Sequence, residues 1–341
     1  MMPSKKVTAE DVAEAAGVSR SSVSRAFTDG ASIHPQKQKK ILEAAKQLGY
    51  QPNFFARTLS MPTQKKRSNI VAILVSDLSN PYESYLFEVL SRTLQSHGKQ
   101  PMLLNVKLED DLDEAILRLS GYQIDGVVAV VGSLPADHFH QCLKLSLPLI
   151  TLGRSDTTGI IPSVQTDNVL VGEMAAEHLL TLGLRKFGFL AGRQDGQASN
   201  ERYQGFKRCL MAAGVTESIY LQAGSYSYQA GFDAAWQQRE QLMLLDGIFC
   251  ASDSLAMGLM DCCRQKLNLS IPQQLNVVGC DDIPMAAWQG YQLTTLAQPV
   301  NGIAQHVLAL LEGIWMKSED SPNMVRLAPE LKVRESTKMR G

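Results

Sequence analysis

Between Ser19 and Arg25 the run SRSSVSR packs four serines and two arginines into seven residues. Hydroxyl and guanidinium groups at this density suit phosphate oxygens and base edges, and one Arg can meet guanine O6 and N7 together. Such groups recognise; they do not cut bonds without a base, nucleophile or metal beside them. The six histidines, at 34, 97, 138, 140, 178 and 306, are scattered. His138 and His140 lack an evident nucleophile or metal-ligand partner and read as the surface of a helix. The six cysteines, at 142, 209, 250, 262, 263 and 280, show no C-x-x-C spacing and read as buried, reduced thiols. No G-x-G-x-x-G follows a strand and no G-x-x-x-x-G-K-[ST] occurs, which goes against a nucleotide-dependent enzyme. The expectation is a protein that binds, with no catalytic residues, no metal and no cofactor.

Charge points to what is bound. Residues 1–67 hold twelve Lys and Arg against five Asp and Glu, a net +7, and the remaining residues hold 21 against 29, a net −8. A basic head on an acidic body fits a head that meets a polyanion, although a solvated charged face is the alternative reading. The composition, 45% hydrophobic and 20% charged over 341 residues, is that of a soluble globular chain. No apolar run approaches the roughly 20 residues of a membrane helix. The start, MMPSKKVTAEDVAEAAG, lacks an apolar signal-peptide core, so a cytoplasmic location is expected.

Three short helices must position the serines and arginines. Thr8 with Glu10 and Asp11 makes a start signal of the capping-box type, Val12, Ala13 and Ala16 share a face, and Gly17 ends the helix. Ser19 can cap a second helix from Arg20 to Phe27, with Val23, Ala26 and Phe27 inward and Arg20, Ser21, Ser22 and Arg25 outward. Pro35 opens a third, with Ile41, Leu42, Ala45 and Leu48 as its apolar face, and Gly49 closes it. The tight turn at AAGVS makes a helix-turn-helix, whose second helix enters the major groove; a structural three-helix bundle is the alternative.

From residue 69 strand-like runs alternate with helical stretches. NIVAILVSD reads as a strand buried on both faces, and PMLLNV, DGVVAVV, PLITLG, KFGFLAG, DGIFCAS and NVVGCDD as the strands that follow it. The helices are expected at 81–97, near 110–120, near 136–146, and at 168–182, 200–213, 229–241 and 254–267. That alternation predicts parallel sheets with right-handed crossovers, in two lobes more readily than in one sheet.

DVAEAAGVSRSSVSRAF closely resembles the DNA-binding head of the lactose/galactose repressor family of transcription regulators, whose usual form is D-V-A-x-x-A-G-V-S-x-x-T-V-S-R. LGYQPNFFARTLS looks like the family's hinge, and SDLSNPY, ERYQGF, ASDSLAMG, VVGCDD and QLTTLAQP follow in the family's order. The resemblance implies an all-α helix-turn-helix head on an α/β, two-lobed body of the periplasmic-binding-protein type. Its domains are a head at 1–50, a hinge helix and linker at 51–68, a first lobe at 69–162 plus about 298–323, and a second lobe at 163–297 plus about 324–341. It further implies a repressor that binds a palindromic double-stranded DNA operator as a homodimer, without a membrane, and responds to a small-molecule effector such as a sugar or sugar acid. The alternative is an activator, or a regulator with a nucleoside or purine ligand. The end of the chain, KVRESTKMRG, lacks the leucine-repeat helix by which some members form tetramers.

Carried over by motif, the DNA-binding residues are Thr8, Ser19, Arg20, Ser21, Ser22, Ser24 and Arg25, with Asn53, Ala56 and Leu59 in the hinge. Asn53 can cap a helix of about seven residues, too short to stand alone. By resemblance it folds with DNA and a second subunit, Leu59 wedging a minor-groove step; a plain linker is the alternative. The basic PTQKKRS adds phosphate affinity.

The resemblance also places the effector between the lobes, with Asp281 as acceptor and Arg202 as donor, a pair suited to vicinal hydroxyls. A structural ion pair is the alternative there. Ser76, Asn80, Tyr82, Tyr226, Ser252 and Asp253 complete the expected site, with loop capping or core packing as the other reading for the first four. Two departures stand out: Ser252 where the family often has Asn, and Gly153 where it often has Asp or Asn, with Arg154 alongside. Together they suggest a negatively charged ligand, such as a sugar acid or a phosphorylated sugar.

Overall fold

The structure, a computed structural model, describes residues 7–28, 31–51, 67–106, 109–130, 142, 144–153, 160–317 and 323–339. The chain divides into two compact units, Met1–Ser68 and Asn69–Gly341.

In the first unit, α1 (Ala9–Ala16), α2 (Arg20–Ala26) and α3 (Pro35–Leu48) enclose a core of Val12, Ala13, Ala16, Val23, Ala26, Ile41, Ala44 and Ala45. The capping box forms as its residues require: Asp11 N–H donates to Thr8 Oγ1 at 3.3 Å, and Thr8 N–H donates back to Asp11 Oδ2 at 2.7 Å. Such a cap stabilises by about 0.5–2 kcal/mol. Gly17 (φ 62°) and Gly49 (φ 66°) end α1 and α3 in the left-handed region. Two expectations change. The buried stripe of α3 is Ile41, Ala44 and Ala45, while Leu42 and Leu48 are exposed. Positions 41, 44 and 45 share one narrow face, and among the described residues of this unit no further helix covers a wider one. Ser22, expected outside, is buried, because it falls beside Val23 on the face toward the core.

The second unit has two six-stranded sheets. In the first, the order is β11 (Met324–Leu327), β5 (Ser163–Thr166), β4 (Leu149–Leu152), β3 (Gly126–Ala129), β1 (Ile70–Val75), β2 (Gln100–Asn105), all parallel. In the second it is β12 (Glu330–Lys332), β10 (Thr294–Ala297), β9 (Asn276–Asp281), β8 (Gly247–Cys250), β6 (Phe187–Ala191), β7 (Ile219–Gln222), with only β12 antiparallel. The central strands β1, β3, β8 and β9 are buried along their whole length, as the apolar runs require.

The expected lobe boundaries shift. Because β5 and β11 both pair in the first sheet, the chain first crosses after Thr166 rather than at 162–163, and last crosses after Leu327 rather than at 323–324. Strand β5 reads SVQT and buries Ser163, Gln165 and Thr166, so no apolar run marks it.

Helices α4 (Pro81–Ser96) and α5 (Glu109–Ser120) belong to the first lobe, and α6 (Asn168–Thr181) and α7 (Gln197–Ala212) to the second. The expected helix at 229–241 is two, α8 (Tyr228–Gln237) and α9 (Arg239–Leu242). The one at 254–267 is α10 (Asp253–Cys262) followed by a π turn over Cys263–Leu267. The helix expected near 136–146 lies mostly outside the described residues. Helix α11 (Val300–Met316) returns to the first lobe and packs Ile303, Val307 and Leu311 against Leu86, Leu90 and Leu94 of α4.

Candidate ligand cleft and nucleic-acid interface

The second lobe holds its site residues through glycine crossings. A Cβ on Gly172 would lie 1.9 Å from the Arg202 carbonyl oxygen, and one on Gly205 1.9 Å from that of Val169, so α6 and α7 touch backbone to backbone beside Arg202. Helices α8 and α10 meet the same way at Gly231 and Gly258. Arg202 Nε donates to Asn168 Oδ1 at 2.9 Å, its Nη1 donates to the Ala251 carbonyl, and Asp281 Oδ1 stands 3.8 Å away. Both side chains are buried, at 6% and 8% exposure, so the pair is a desolvated donor and acceptor set side by side.

Asp281 closes β9 at φ 125°, and Asp282 follows at φ 54°. Each such non-glycine residue costs about 1–3 kcal/mol of strain, tolerated where neighbours enforce it. Burial pushes the Asp281 carboxyl up to about 6, against the pull of Arg202 and Gln298.

These residues open on a cleft of about 640 Å³ between the two sheets' lobes, within the range of small-molecule sites. Seven of the expected residues line it: Ser76, Asn80, Tyr82, Arg202, Tyr226, Ser252 and Asp281. Asn80 caps α4 by accepting from Tyr82 N–H at 3.0 Å, and Ser252 caps α10 by accepting from Leu255 N–H at 3.3 Å. Ser76 donates its hydroxyl to Glu83 Oε1 at 3.0 Å, so Glu83, raised by burial, braces the rim. Tyr226 lies over Gly192 and Gly196, where a Cβ would come within 2.2 and 2.5 Å of its ring and hydroxyl.

Asp253 departs from the expectation. It does not line the cleft; its carboxylate accepts from Ile283 N–H at 3.0 Å and from the Thr295 hydroxyl, inside the lobe. At the first position of α10 its side chain is directed inward, beneath the 281–283 turn. Burial, then the neighbouring Asp281, pushes it up to about 8. Arg154 lies outside the described residues.

Gln298 is the site residue that motif reasoning missed. Its Oε1 accepts from Tyr82 Oη at 2.9 Å and from Thr166 Oγ1 at 2.7 Å, and its Nε2 donates to Asp281 Oδ1 at 2.6 Å. It thus ties two first-lobe hydroxyls to the second-lobe carboxylate. The available signal was its place: a polar amide before Pro299, where the chain recrosses. Trp288, 59% exposed, and Arg193 also line the cleft unforeseen. Arg193 is already paired in a fork with Asp195, at 3.0 and 2.7 Å.

In the first unit, Arg20, Ser21, Ser24 and Arg25 are exposed on one face of α2. Ser19 does not cap α2 with its side chain; its hydroxyl bonds those of Ser21 and Ser22, at 3.0 and 2.9 Å. Thr8 is engaged in its capping box. Asn53, Ala56 and Leu59 lie outside the described residues.

Comparison with known proteins then decides the family. Residues 8–53 match the model for bacterial regulatory proteins of the lacI family, and residues 176–337 match a periplasmic binding protein-like domain. The HTH-type transcriptional regulator RegA of Clostridium saccharobutylicum is 30% identical over 334 residues, covering 96% of this chain and 98% of that one. The chain belongs to the lacI family. As a lacI-family protein it is a DNA-binding transcription regulator and not an enzyme. Among solved structures this lacI-family chain is similar to the transcriptional regulator CelR–cellobiose complex, at 26% identity and a TM-score of 0.71, covering 97% of this chain and 100% of that one. It is also similar to a lacI-family regulator from Enterococcus faecium with bound ribose, at 25% identity and a TM-score of 0.72, covering 80% and 100%. No helix among the described residues is long and apolar enough to cross a membrane.

Proposed function

We propose that this regulator is a repressor that binds a palindromic operator as a homodimer, and that a neutral sugar bound between the lobes switches its operator affinity. The observation that carries the reading is the buried Arg202–Asp281 pair facing the cleft, with Gln298 joining Asp281 to Tyr82 and Thr166 across it. A carboxylate and a guanidinium side by side can accept from and donate to neighbouring hydroxyls. Tyr82, Tyr226 and Trp288 supply the aromatic walls. The cellobiose and ribose in the two similar structures favour the same ligand class.

Charge favours a neutral ligand over an acidic one. Among the described lining residues, the cations Arg193 and Arg202 already have Asp195 and Asp281 beside them, while Asp77 and Glu83 add further acid. An anionic sugar would enter a cleft whose described positive charges are taken. The exposed face of Arg20, Ser21, Ser24 and Arg25 is the proposed base-reading surface, with Asn53, Ala56 and Leu59 as the hinge contacts.

The test selects bound DNA from a random pool with the full chain, then screens ribose, cellobiose and their acid counterparts for a change in retention. A palindrome with operator affinity moved by a neutral sugar is expected. Recovery of no common sequence, or a response confined to the acids, overturns the reading.

A further inference from the structure

Two consecutive non-glycine residues, Asp281 and Asp282, carry positive φ at the end of β9. Asp281 lines the cleft; Asp282 does not. Side chains at such backbone angles persist only where surrounding groups over-determine them. On one side Asp253 takes the Ile283 N–H at 3.0 Å, just past the turn.

On the other side stands Arg334, in the segment after β12 and far away in sequence. Its Nη2 donates to Asp282 Oδ1 at 2.6 Å, and its Nη1 donates to the Leu293 carbonyl at 2.7 Å. Its backbone is fastened as well: its N–H donates to Thr294 Oγ1 at 2.9 Å, and that hydroxyl donates to the Arg334 carbonyl at 3.1 Å. The guanidinium is therefore anchored at Leu293, just before β10, and the Arg334 backbone at Thr294 of β10, before the side chain reaches the turn. The Arg334 and Asp282 side chains are 18% and 23% exposed, so water competes little for the contact. A planar fork sets direction as well as distance.

We propose that Arg334 is a positioning residue of the effector site: by clamping Asp282 it holds the left-handed turn that aims Asp281 into the cleft. Its role in ligand affinity rests on the reading of that cleft as the effector site; its hold on the turn does not.

Amide hydrogen exchange on the full-length protein tests the clamp without any ligand, read on a peptide spanning residues 279–287. Arg334→Gln is expected to speed exchange of the 281–283 amides about tenfold or more. Because the action runs through Asp282, adding Arg334→Gln to Asp282→Gly should change the rate by less than about threefold. The amides of β8 serve as the control for global unfolding. If they accelerate equally, Arg334→Lys, which keeps the charge without the fork, is read by the same criteria. A rate for Arg334→Gln within about twofold of the parent, or effects of the two substitutions that simply multiply, overturns the clamp. Calorimetry with ribose and cellobiose adds a second reading: a sugar that binds the parent should bind Arg334→Gln at least about fivefold more weakly. An unchanged affinity removes the role in ligand binding. If neither sugar binds the parent, the sugar reading falls, while the exchange result still decides the clamp.

Discussion

In the first lobe, among the polar groups that face the cleft, Ser76 and Asn80 are half-buried, Asp77 and Ser79 are exposed, and Thr166 at the end of β5 is buried. In the second, Arg202, Ser252 and Asp281 are all buried. The two sheets follow one strand order, so the difference does not come from topology. It comes from the helices. In the second lobe α6 with α7 and α8 with α10 meet at glycine pairs, leaving no gap that could absorb a shift. The first lobe has no such crossing among its described glycines. One half of the site is therefore fixed, and the other is a rim that can adjust. Binding proteins of two lobes work by closure of one part on another, and on the proposed reading of the cleft the charged pair belongs to the fixed part.

The contrast breaks first at its glycines. Gly205→Ala puts a methyl 1.9 Å from the Val169 carbonyl oxygen, and should destabilise the body by about 3 kcal/mol. Gly302→Ala in α11 meets Leu327 Cδ1 at 3.4 Å and Pro299 Cβ at 3.8 Å, and should be neutral or stabilising by up to about 1 kcal/mol through helix propensity. Urea unfolding of the two variants compares them directly; equal costs would remove the distinction between the lobes. Next comes ligand affinity. Asp281→Asn should weaken whichever sugar the screen identifies by about 10- to 100-fold, the loss of a charge-assisted acceptor. Calorimetry reads it, and retention of parent affinity would show that the fixed half does not carry recognition.

How far the sequence reached follows the same division. In the head both ends of α1 were legible because capping is local: Thr8, Asp11 and Gly17 need only their neighbours, whereas the Ser19 cap and the outward Ser22 did not form as read. Arg202 and Asp281 were legible as motif positions, and the structure puts them side by side. Asp253, three quarters of the way along the same chain of motifs, was misplaced, because the first turn of α10 sends Ser252 and Ser254 to the cleft and the residue between them inward. Strand β5 was invisible, since its buried residues are polar and its place is set by pairing with β4 and β11. Gln298 was read only as a crossing point, because its partners Tyr82, Thr166 and Asp281 come from three distant segments.

The fixed half should also show in pH dependence. Burial raises Asp253 from 3.8 to about 8, so the folded state holds a proton that the unfolded chain has already lost. That stability is fully present below the unfolded value and is lost as pH rises through the folded one. Stability should therefore fall by on the order of 1–2 kcal/mol from about pH 6.5 to about pH 8. Asp253→Asn should flatten that part of the profile in denaturant titrations at each pH. A flat parent profile would mean that Asp253 stays ionised, held by Ile283 N–H and Thr295 alone.

The smallest expected effect sharpens the comparison most directly, because Asn80 in the first lobe and Ser252 in the second are both helix caps that line the cleft. Asn80 caps α4 from a half-buried position, and Ser252 caps α10 from a buried one. When the cap is cut back to alanine, the freed N–H must find another partner. Water in the cleft can reach Tyr82 N–H more readily than Leu255 N–H, which lies in a fully buried residue. Asn80→Ala should thus cost about 0.5 kcal/mol and Ser252→Ala about 1 kcal/mol. If urea unfolding puts Asn80→Ala at the higher cost, the first-lobe rim is as rigid as the half it closes on, and closure must be sought at the crossings after Thr166, Ala297 and Leu327 instead.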